Sequence, residues 1–449
     1  MKIEIPEHVM SIIALLERSG HQAYIVGGCV RDALLNQVPH DWDIATSARP
    51  EEIKMALADI PVLDTGMKHG TVTAIINHEP FEITTFRTEG SYSDGRHPDQ
   101  VTFVTDIRED LSRRDFTINA MAYHPVYGLI DPFDGISDCK RKLIRCVGNP
   151  ADRFTEDALR MMRAIRFAAQ FGFSIDEATW NAAKESVYLL GKISMERIQT
   201  ELMKIMQAEA PHKFLDQYQE VFDYIVPEFL SMHDCEQNNP YHVYDIWRHT
   251  MKVLENVEYA SADPIIRMTA LFHDISKPQC KEHGTDGYDH FHGHAEEGTK
   301  IVRMILRRLK FDNKTIYQVA QLVEWHDKTF SCKKNQVKRW MNELGEEQLQ
   351  RLFILRRADI LGQDLRFAKE RLEKVDIMES LMKEILEEHQ CFQLKDMAIN
   401  GSDLIRMGVP EGRQIGQILH SLFELVLMEQ CENKRDTLME QAKSMLDAS

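Results

Sequence analysis

The spacing of apolar residues changes once along this 449-residue chain, near residue 150, and that change limits the fold more than any other feature. Up to residue 148, short β-branched and aromatic runs bounded by Gly, Asp, Asn or Pro predict strands. These runs are QAYIVGG, TVTAIIN, FEITTFR and VTFVT. Helical spacing is predicted at 7–19, 30–36, 50–58 and 116–122. The chain therefore begins with a mixed α/β head.

From residue 152 onward the apolar residues follow the helical period of about 3.6, and we find no convincing strands. The predicted helices cover 155–171, 176–187, 194–207, 244–258, 262–275, 295–310, 314–327, 335–344, 347–360, 364–389, 402–406 and 413–428. Breaks at 209–213, 238–242, 283–294 and 395–403 are plausible seams between subdomains. The predicted fold class is α+β, with a small mixed-sheet head followed by an all-α remainder.

Composition narrows the class of protein. The net charge is −17 and the pI about 5.6, which argues against a protein that coats nucleic acid non-specifically. No apolar run approaches the roughly 18 residues of a membrane span. The first 20 residues predict an amphipathic helix rather than a signal peptide, with Val9, Ile12, Ile13 and Leu16 on its apolar face. Eight cysteines without a CxxC pair fit reduced thiols, so we expect a cytoplasmic protein that does not enter membranes.

The segment 24–50 carries the first candidate chemistry. In a strand, Asp41 and Asp43 would point to the same face, and Glu82 on another predicted strand could add a third carboxylate. Converging carboxylates suit Mg²⁺, which binds oxygen ligands together with substrate phosphates. Gly28 follows a second glycine where a strand ends and a helix begins, and Arg31 in the first helical turn could hold phosphate oxygens. Each feature alone is more often structural, but their order indicates metal-dependent nucleotidyl transfer.

Longer stretches strengthen this interpretation. GGCVRDALL with DWDIAT, EITTFR, RRDFTINAMAY (113–123), DPFDGISDCKRKLIR (131–145) and RFTEDALRMMRAIRFAAQFGF (153–173) resemble successive motifs of the class II tRNA nucleotidyltransferase and poly(A) polymerase family. The resemblance covers residues 20–230. It implies nucleotide contacts from Gly28, Arg31 and Arg114, Mg²⁺ on the catalytic acids Asp41 and Asp43, and Glu82 as a third catalytic acid.

The predicted helix 155–171 contains a candidate for nucleotide selection. Thr155 is a reasonable N-cap, and Asp157, Arg160 and Arg163 share a face while Arg166 turns away. Cytosine and adenine both present an amino donor beside a ring-nitrogen acceptor, which a carboxylate and an arginine would match. This segment is similar to the EDxxR element with which the family selects C and A, and Arg163 and Arg166 would support phosphate or the helix. The alternative is an ordinary surface ion pair.

Histidines and acids recur through the helical part of the chain. The series His249, His273-Asp274, His294, His326 and Asp359 resembles the HD-domain metal phosphohydrolases over residues 240–365. The resemblance implies one ion on His249, His273, Asp274 and Asp359, with His294 and His326 holding a second ion or orienting phosphate. Imidazole and carboxylate ligands suit a second divalent or transition metal. His283, His290 and His292 lie in the same region without an assigned role.

The predicted activity is CCA-adding tRNA nucleotidyl transfer, in which CMP and AMP pass from CTP and ATP to the tRNA 3′ end. Alternatives within this class are a CC-adding enzyme, an A-adding enzyme and a poly(A) polymerase. Poly(A) polymerases of the family tend to carry strongly basic extensions, which this acidic chain does not show. Asp94 and Arg96 in the loop 86–101, which is not visibly shortened, favour full CCA addition within the family. From other classes, an HD hydrolase with an RNA-binding head and a non-catalytic RNA chaperone remain alternatives.

Four domains are expected. They are a nucleotidyltransferase head at 1–148, a nucleotide-selecting and RNA-binding helical neck at 149–231, an HD-type body at 232–365 and a tRNA-binding helical tail at 366–449. The tail stretch 398–430 resembles the C-terminal segment of bacterial members of the family, which reaches along tRNA. A packed helical hairpin is the alternative, because Ile415, Ile418, Leu419 and Leu422 form a buried stripe.

Overall fold

The computed structural model describes residues 3–64, 66–90 and 100–447. The chain forms two compact units, Met1–Pro227 and Glu228–Ser449. Their boundary lies close to the one predicted between neck and body. The finer division into four domains stays a prediction. Among the described residues, no helix combines the length and apolar character needed to cross a membrane.

Unit 1 holds the mixed sheet. Its strands are β1 (Ala23–Val26), β2 (Asp43–Thr46), β3 (Val62–Leu63), β4 (Thr71–Ile76), β5 (Glu79–Thr85), β6 (Arg87–Glu89), β7 (Val101–Phe103), β8 (Ala122–His124), β9 (Gly128–Ile130), β10 (Leu143–Ile144) and β11 (Ser174–Ile175). Its helices are α1 (Glu7–Arg18), α2 (Gly28–Leu34), α3 (Pro50–Ala56), α4 (Ile107–Ser112), α5 (Gly135–Arg141), α6 (Pro150–Glu156), α7 (Leu159–Phe171), α8 (Glu177–Ser186), α9 (Met195–Met206), α10 (Pro211–Gln217) and α11 (Gln219–Ile225).

Seven strands form the main sheet in the order β3-β4-β5-β2-β1-β8-β9. The β2–β5 pair is parallel and the other neighbours are antiparallel. All four residues of β1 are buried, as expected for a central strand covered on both faces. The apolar face predicted for α1 is also buried, since Val9 and Leu16 are fully inaccessible. The mixed sheet followed by helices confirms the predicted α+β class.

The helix predicted at 116–122 is wrong. This segment contains a short 3₁₀ turn, Thr117–Asn119, and then strand β8. Strand β8 pairs with β1 through Ile25 and Tyr123, so sheet pairing overrides the local helical spacing. The neighbouring helix is α4 instead, whose N-cap Asp106 accepts a hydrogen bond from the Arg108 N–H.

Over its described residues, which end at 447, unit 2 is helical apart from one short hairpin. Its elements are α12 (Ile246–Ala260), α13 (Pro264–Phe272), β12 (Glu282–His283), β13 (Asp289–His290), α14 (His294–Arg308), α15 (Asn313–Trp325), α16 (Lys334–Leu344), α17 (Glu346–Leu361), α18 (Ala368–Glu387), α19 (Gly401–Arg406), α20 (Arg413–Leu427) and α21 (Arg435–Asp447). Helix α21 and the hairpin were not predicted. The predicted apolar stripe of α20 does pack, with Leu422 fully buried against a cluster that includes Leu438 of α21.

Candidate functional site

A cleft of about 640 Å³ in unit 1 gathers all ten residues predicted for nucleotidyl transfer. The predicted residues in its lining are Gly28, Arg31, Asp41, Asp43, Glu82, Arg114, Asp157, Arg160, Arg163 and Arg166. The lining also contains Gly27, which was expected beside Gly28 at the phosphate turn. Arg113, Asp115, Asn119 and Arg197 line it too, and sequence reasoning gave them no site role. Residues far apart in sequence thus meet at one end of the sheet.

The three acids are brought together by the sheet rather than by one strand. Strand β2 begins at Asp43, so the prediction that Asp41 belongs to the strand is wrong, although both acids face the cleft. Strand β5 runs parallel to β2 with Ile44 opposite Ile83, which places Glu82 beside Asp43. Converging carboxylates repel one another unless a cation lies between them, so the set can hold a divalent metal.

Asp43 lines the cleft and is exposed to solvent. Burial raises the pKa of Asp43, Arg114 opposes the shift, and the like charges of Glu82 and Asp41 raise the pKa further. These acids are therefore crowded, and a bound cation would relieve the repulsion between them.

Gly27 makes room for Arg114 beside the acids. Gly27 has a positive φ of 76°, and a Cβ there would lie 2.8 Å from Arg114 Nη1. It would also lie 4.0 Å from Asp43 Oδ2. A Cβ at Gly28, by contrast, would make only an ordinary 3.5 Å contact with Arg31. The close approach of Arg114 and the positive φ therefore require a glycine at position 27, whereas neither requires one at position 28.

Arg31 is buried and fixed on several sides. Its Nη1 donates to Asn119 Oδ1 at 2.6 Å, and its Nη2 donates to Asp32 Oδ1 at 2.7 Å. The guanidinium also lies 4.6 Å from the centre of the Phe171 ring. Asn119 comes from the 3₁₀ turn that sequence reasoning took for a helix. Arg31 is thus preorganised to bind an anion in the cleft.

The helix predicted at 155–171 is interrupted. Helix α6 ends at Glu156, Asp157 is extended with φ −144° and ψ 103°, and α7 begins at Leu159. Thr155 is not an N-cap, because its hydroxyl donates back to the Ala151 carbonyl at 2.9 Å. Asp157 Oδ1 instead accepts from the Leu159 N–H at 3.0 Å. The break lets Asp157 reach the cleft from a corner between two helices rather than from a helix face.

The two residues predicted to select the base have separate partners here. Asp157 Oδ2 lies 2.7 Å from Arg197 Nη2, and Arg160 Nη1 lies 2.5 Å from Glu156 Oε2. Arg197 comes from α9, and no local sequence pattern pointed to it. A base entering the cleft would therefore meet a carboxylate and a guanidinium that are each already oriented by an ion pair.

Arg163 and Arg166 are braced by buried acids. Arg163 donates through Nε and Nη2 to Asp115 Oδ2 at 2.9 and 2.6 Å. Burial alone would raise the pKa of Asp115, but Arg163 outweighs it and holds that pKa at about 2. Arg166 does not turn away as predicted but lines the cleft, with Nε 2.5 Å from Glu201 Oε2.

A second cavity, of about 740 Å³, lies in unit 2 and contains four of the predicted histidine-series residues. Asp274, His294, His326 and Asp359 line it, and His249 and His273 lie directly behind them. Two groups have ligand atoms within 4.8 Å of one another: His249, His273 and Asp274, and Asp274, His294 and His326. Asp274 belongs to both groups, so two candidate metal positions share one carboxylate.

Each of the four histidines is oriented by a backbone carbonyl. The Nδ1 atoms of His249, His273, His294 and His326 lie 3.1, 2.8, 2.8 and 2.6 Å from the carbonyl oxygens of Gly362, Ala270, Phe291 and Val323. A carbonyl oxygen can only accept, so Nδ1 carries the proton and Nε2 of the neutral ring keeps its lone pair. All four Nε2 atoms face the two aspartates, as metal-binding imidazoles do.

Asp274 and Asp359 lie against the Nε2 atoms. Asp359 Oδ1 is 3.1 Å from His249 Nε2, and Asp274 Oδ2 is 3.2 Å from His273 Nε2. Burial would raise the pKa of Asp274, but the charged form of His273 and the Lys277 ammonium outweigh it and hold that pKa well below its usual range. Among the described residues, neither Asp274 oxygen has a hydrogen bond of good geometry, although Lys277 Nζ lies 2.7 Å from Oδ2. A buried, ionised carboxylate whose oxygens lack hydrogen bonds of good geometry is suited to binding a cation.

Sequence reasoning missed Lys277 and His242 in this cavity. Lys277 follows Asp274 by three residues, a helical spacing that could have identified it. Its ammonium also donates to Gln237 Oε1 at 2.9 Å. Burial and Lys277 together lower the pKa of His242 to about 2, so this ring is neutral near the cluster.

The three histidines without an assigned role belong to or follow the β12–β13 hairpin. His290 and His292 line the cavity, and their rings stack with centroids 5.5 Å apart. His283 is turned toward Asp289, with Nδ1 3.1 Å from Oδ1. Asp94 and Arg96, on which the choice between CC and CCA addition was based, lie outside the described residues.

Three carboxylates at the end of a mixed sheet, beside a glycine turn and several arginines held by hydrogen bonds, are typical of a nucleotidyltransferase. Family models agree with this class along the chain. The "Poly A polymerase head domain" matches residues 23–145, the "Probable RNA and SrmB- binding site of polymerase A" matches 172–232, and tRNA nucleotidyltransferase domain 2 matches 293–442.

Relatives narrow the class. The CCA-adding enzyme of Pediococcus pentosaceus is 35% identical over 437 residues, which is 96% of each chain. That of Enterococcus faecalis is 34% identical over 433 residues, covering 96% of this chain and 94% of the relative. The chain belongs to the family of CCA-adding enzymes. A crystal structure of the Bacillus stearothermophilus CCA-adding enzyme in complex with CTP aligns with a TM-score of 0.66 at 27% identity, over 99% of this chain and 98% of that one.

Proposed function

We propose that the unit 1 cleft adds the CCA sequence to the 3′ end of tRNA, transferring CMP from CTP and AMP from ATP with release of pyrophosphate. The observation that carries this function is one cleft lined by Asp41, Asp43 and Glu82 together with Arg31 and Arg114. The substrates tRNA, CTP and ATP are inferred from membership of the family of CCA-adding enzymes. A reaction on tRNA with nucleoside triphosphates also fits a cytoplasmic protein.

The cleft residues fit Mg²⁺ as the metal of this reaction. Asp41 and Asp43, with Glu82 beside them, supply the hard oxygen ligands that this ion prefers. When bound, Mg²⁺ would neutralise charge on the phosphates and favour attack by the tRNA 3′-hydroxyl. Arg31 and Arg114 would hold the triphosphate in line with that hydroxyl, so that positioning and charge stabilisation do most of the work.

Asp157 and Arg160 would select the base. The Asp157 carboxylate would accept from the amino group of cytosine or adenine, and the Arg160 guanidinium would donate to the ring nitrogen. UTP and GTP would leave both groups facing the wrong partner, which costs binding energy when water is excluded. Arg163 and Arg166, braced by Asp115 and Glu201, would support the phosphate or the helix.

The function is tested by incubating the full chain and tRNA lacking its 3′ CCA with each labelled nucleotide in turn and in combination. Incorporation of C followed by A is the expected result. Addition of C without A, or of A only to tRNA ending in CC, would identify a specialist. Addition of A to any RNA would identify a poly(A) polymerase. The matched control is the Asp41→Asn/Asp43→Asn double variant, which should incorporate nothing.

A second function, metal-dependent phosphoester hydrolysis of the HD type, is proposed for unit 2. The observation that favours it is the set of four histidine Nε2 atoms turned toward Asp274 and Asp359. His249, His273, Asp274 and Asp359 would hold one ion, and His294 and His326 a second. Imidazole ligands favour a transition metal or a mixed site. A metal there would lower the pKa of a water nucleophile.

This second function is tested on the full chain after loading with Mn²⁺. We expect bound manganese and hydrolysis of bis(p-nitrophenyl) phosphate, both lost in an Asp274→Asn variant that still adds CCA. Absence of bound metal and of hydrolysis in the unmodified protein would show that the histidine cluster is vestigial.

The four predicted domains are kept as a proposal within the two units. The head at 1–148 would carry the catalytic acids, the neck at 149–231 the base-selecting residues, the body at 232–365 the histidine cluster, and the tail at 366–449 a tRNA-binding surface. Support for the first division comes from the family matches at 23–145 and 172–232, which fall on either side of it. Loss of tRNA affinity without loss of CTP affinity on removing the tail would test the last assignment.

A further inference from the structure

Residues 359–363 are the last three residues of α17 and the two that follow it, and they serve the histidine cluster of unit 2 in three ways. Asp359 faces His249 Nε2 at 3.1 Å. The Gly362 carbonyl oxygen lies 3.1 Å from His249 Nδ1 and so fixes the same ring from behind. Gln363 Nε2 donates to Asp359 Oδ1 at 2.8 Å. One turn of chain therefore supplies a candidate ligand and the groups that orient two ligands.

Gly362 explains how this turn comes so near to His249. A Cβ at Gly362 would lie 2.9 Å from Val253 Cγ2 on α12, the helix that carries His249. The absence of a side chain lets the two segments pack closely enough for the carbonyl to reach the ring. Backbone packing thus brings the two segments together, and the hydrogen bond from Gln363 orients the Asp359 carboxylate.

The amide of Gln363 could face Asp359 with either end, since its oxygen and nitrogen are similar in size. Arg371 decides which end it is. The Arg371 Nη1 donates to Gln363 Oε1, and a guanidinium has donors only, so the amide oxygen must face Arg371. The NH₂ group is then turned toward the Asp359 carboxylate. Arg371 itself lies on α18, beyond the predicted end of the HD-type body, with its guanidinium 5.9 Å from the Tyr241 ring centre.

We propose that Gln363 and Arg371 are positioning residues of the unit 2 metal site. Arg371 fixes the amide of Gln363, and Gln363 holds Asp359 Oδ1 in the orientation in which Asp359 and His249 bind an ion together. This inference rests on the metal site proposed above. Outer partners of this kind commonly change metal affinity by about 10- to 100-fold. Without Arg371 the amide can turn its oxygen toward Asp359 and repel the carboxylate.

The test is a calorimetric titration of the full chain with Mn²⁺ alone, in an Asp41→Asn/Asp43→Asn background so that unit 1 does not contribute binding. We expect Gln363→Ala and Gln363→Met to weaken Mn²⁺ binding by about 10- to 100-fold. Gln363→Met keeps a side chain of similar volume, cannot donate a hydrogen bond and adds no charge, so it separates the hydrogen bond from packing and from electrostatics. Arg371→Ala should weaken binding less, and Arg371→Lys should recover part of the loss because it restores a donor.

Arg366→Ala is the matched control. Arg366 is an arginine five residues before Arg371, pairs with Asp364, and has a largely exposed side chain. The Arg366→Ala variant should bind Mn²⁺ with unchanged affinity. A second measurement, the rise in Tm that Mn²⁺ produces in each variant relative to its own metal-free form, separates weaker binding from weaker folding.

The inference is overturned if the background protein binds Mn²⁺ and the Gln363→Met and Arg371→Ala variants bind it equally well. In that outcome the metal site stands without these positioning residues. Failure of the background protein itself to bind Mn²⁺ would remove the proposed metal site and this inference with it.

Discussion

The two cavities hold their functional side chains by different means. In unit 1, charged side chains are fixed by ion pairs with residues of other segments. Asp115 holds Arg163 in this way, and Arg197 holds Asp157. In unit 2, the histidines are fixed through backbone carbonyls, as His249 is by Gly362. Ion pairs can exchange partners when a ligand enters, whereas a carbonyl within a helix end stays in place.

This difference suits the proposed chemistry. A cleft that must accept first cytosine and then adenine benefits from side chains that can be re-paired by the ligand. A site of imidazoles with their Nε2 atoms already turned inward is built for an ion of fixed coordination. The ligand atoms of the two cavities also suit different metals. The carboxylates of unit 1 suit Mg²⁺, and the imidazoles of unit 2 suit transition metals.

The largest effect is expected from Asp43→Asn. This change removes the central acid of the unit 1 cleft and should lower nucleotide incorporation by about a thousandfold or more, the scale on which lost charge stabilisation slows phosphoryl transfer. Incorporation of labelled CMP into tRNA lacking CCA measures it. Asp59→Asn, at an exposed acid of the same unit, is the control. If Asp43→Asn retained activity within tenfold of the unmodified protein, the cleft would not be the site of transfer.

His249→Ala should remove Mn²⁺ binding by unit 2 more completely than the loss of an outer partner, that is, by more than about 100-fold. Nucleotide addition should stay unchanged, because the acids of the transfer site belong to unit 1. Metal content after dialysis and CCA addition are measured on the same preparation. His420→Ala, at an exposed histidine of α20, is the matched control. Equal metal content in His249→Ala would break the assignment of the histidine cluster.

Sequence reasoning succeeded where the signal was local or long. The mixed head, the helical remainder and nearly every long helix of unit 2 followed from apolar spacing, and the acids of 41–43 and the His273-Asp274 pair lay in recognisable strings. These predictions needed no knowledge of which segments meet.

Sequence reasoning failed where tertiary partners decide the outcome. Strand β8 forms because β1 offers an edge, and the break at Asp157 forms where Arg197 of a distant helix holds the carboxylate. Arg371 lies on a helix outside the predicted metal domain and reaches Asp359 only through Gln363. Spacing along one segment carries no information about such partners.

Asp157→Ala should blur the choice of nucleotide by about 10- to 100-fold, as expected when one polar contact to a base edge is lost. Metal binding should be retained, because Asp157 is separate from the three acids. Single-turnover incorporation of each of the four nucleotides measures the discrimination, and Arg160→Ala should act in the same direction. Asp152→Ala, an exposed acid of the preceding helix, is the control. Unchanged discrimination in both variants would remove the proposed template.

Gly27→Ala should lower incorporation by about tenfold, because the new Cβ would displace Arg114 and a tenfold loss of rate corresponds to about 1.4 kcal/mol of transition-state stabilisation. The matched control is Gly128→Ala. Gly128 has a φ of 78°, almost the 76° of Gly27, but a Cβ there would meet nothing within 4 Å. Both variants carry the strain of a positive φ, so activity is compared per folded molecule, with the folded fraction of each variant measured by urea titration. On that basis only Gly27→Ala should lose activity. Equal activity losses would mean that strain alone, and not the position of Arg114, is responsible.

The smallest effect on activity, a few-fold, is expected from Asp115→Asn, but its pH dependence tests how unit 1 is held together. The Asp115 pKa is about 2 in the folded chain against an ordinary 3.8, so the unfolded state binds the proton more readily. The stabilisation, on the order of 2 kcal/mol, is therefore complete above the ordinary pKa and is lost as pH falls toward 2. Urea midpoints of the unmodified and Asp115→Asn chains should differ most at pH 6, and the difference should shrink as pH falls through 3 toward 2. Asp152→Asn should show no such gap. A gap that stays constant with pH would mean that the Asp115–Arg163 ion pair does not hold Arg163, and the contrast between ion-paired and carbonyl-fixed side chains would then fail for unit 1.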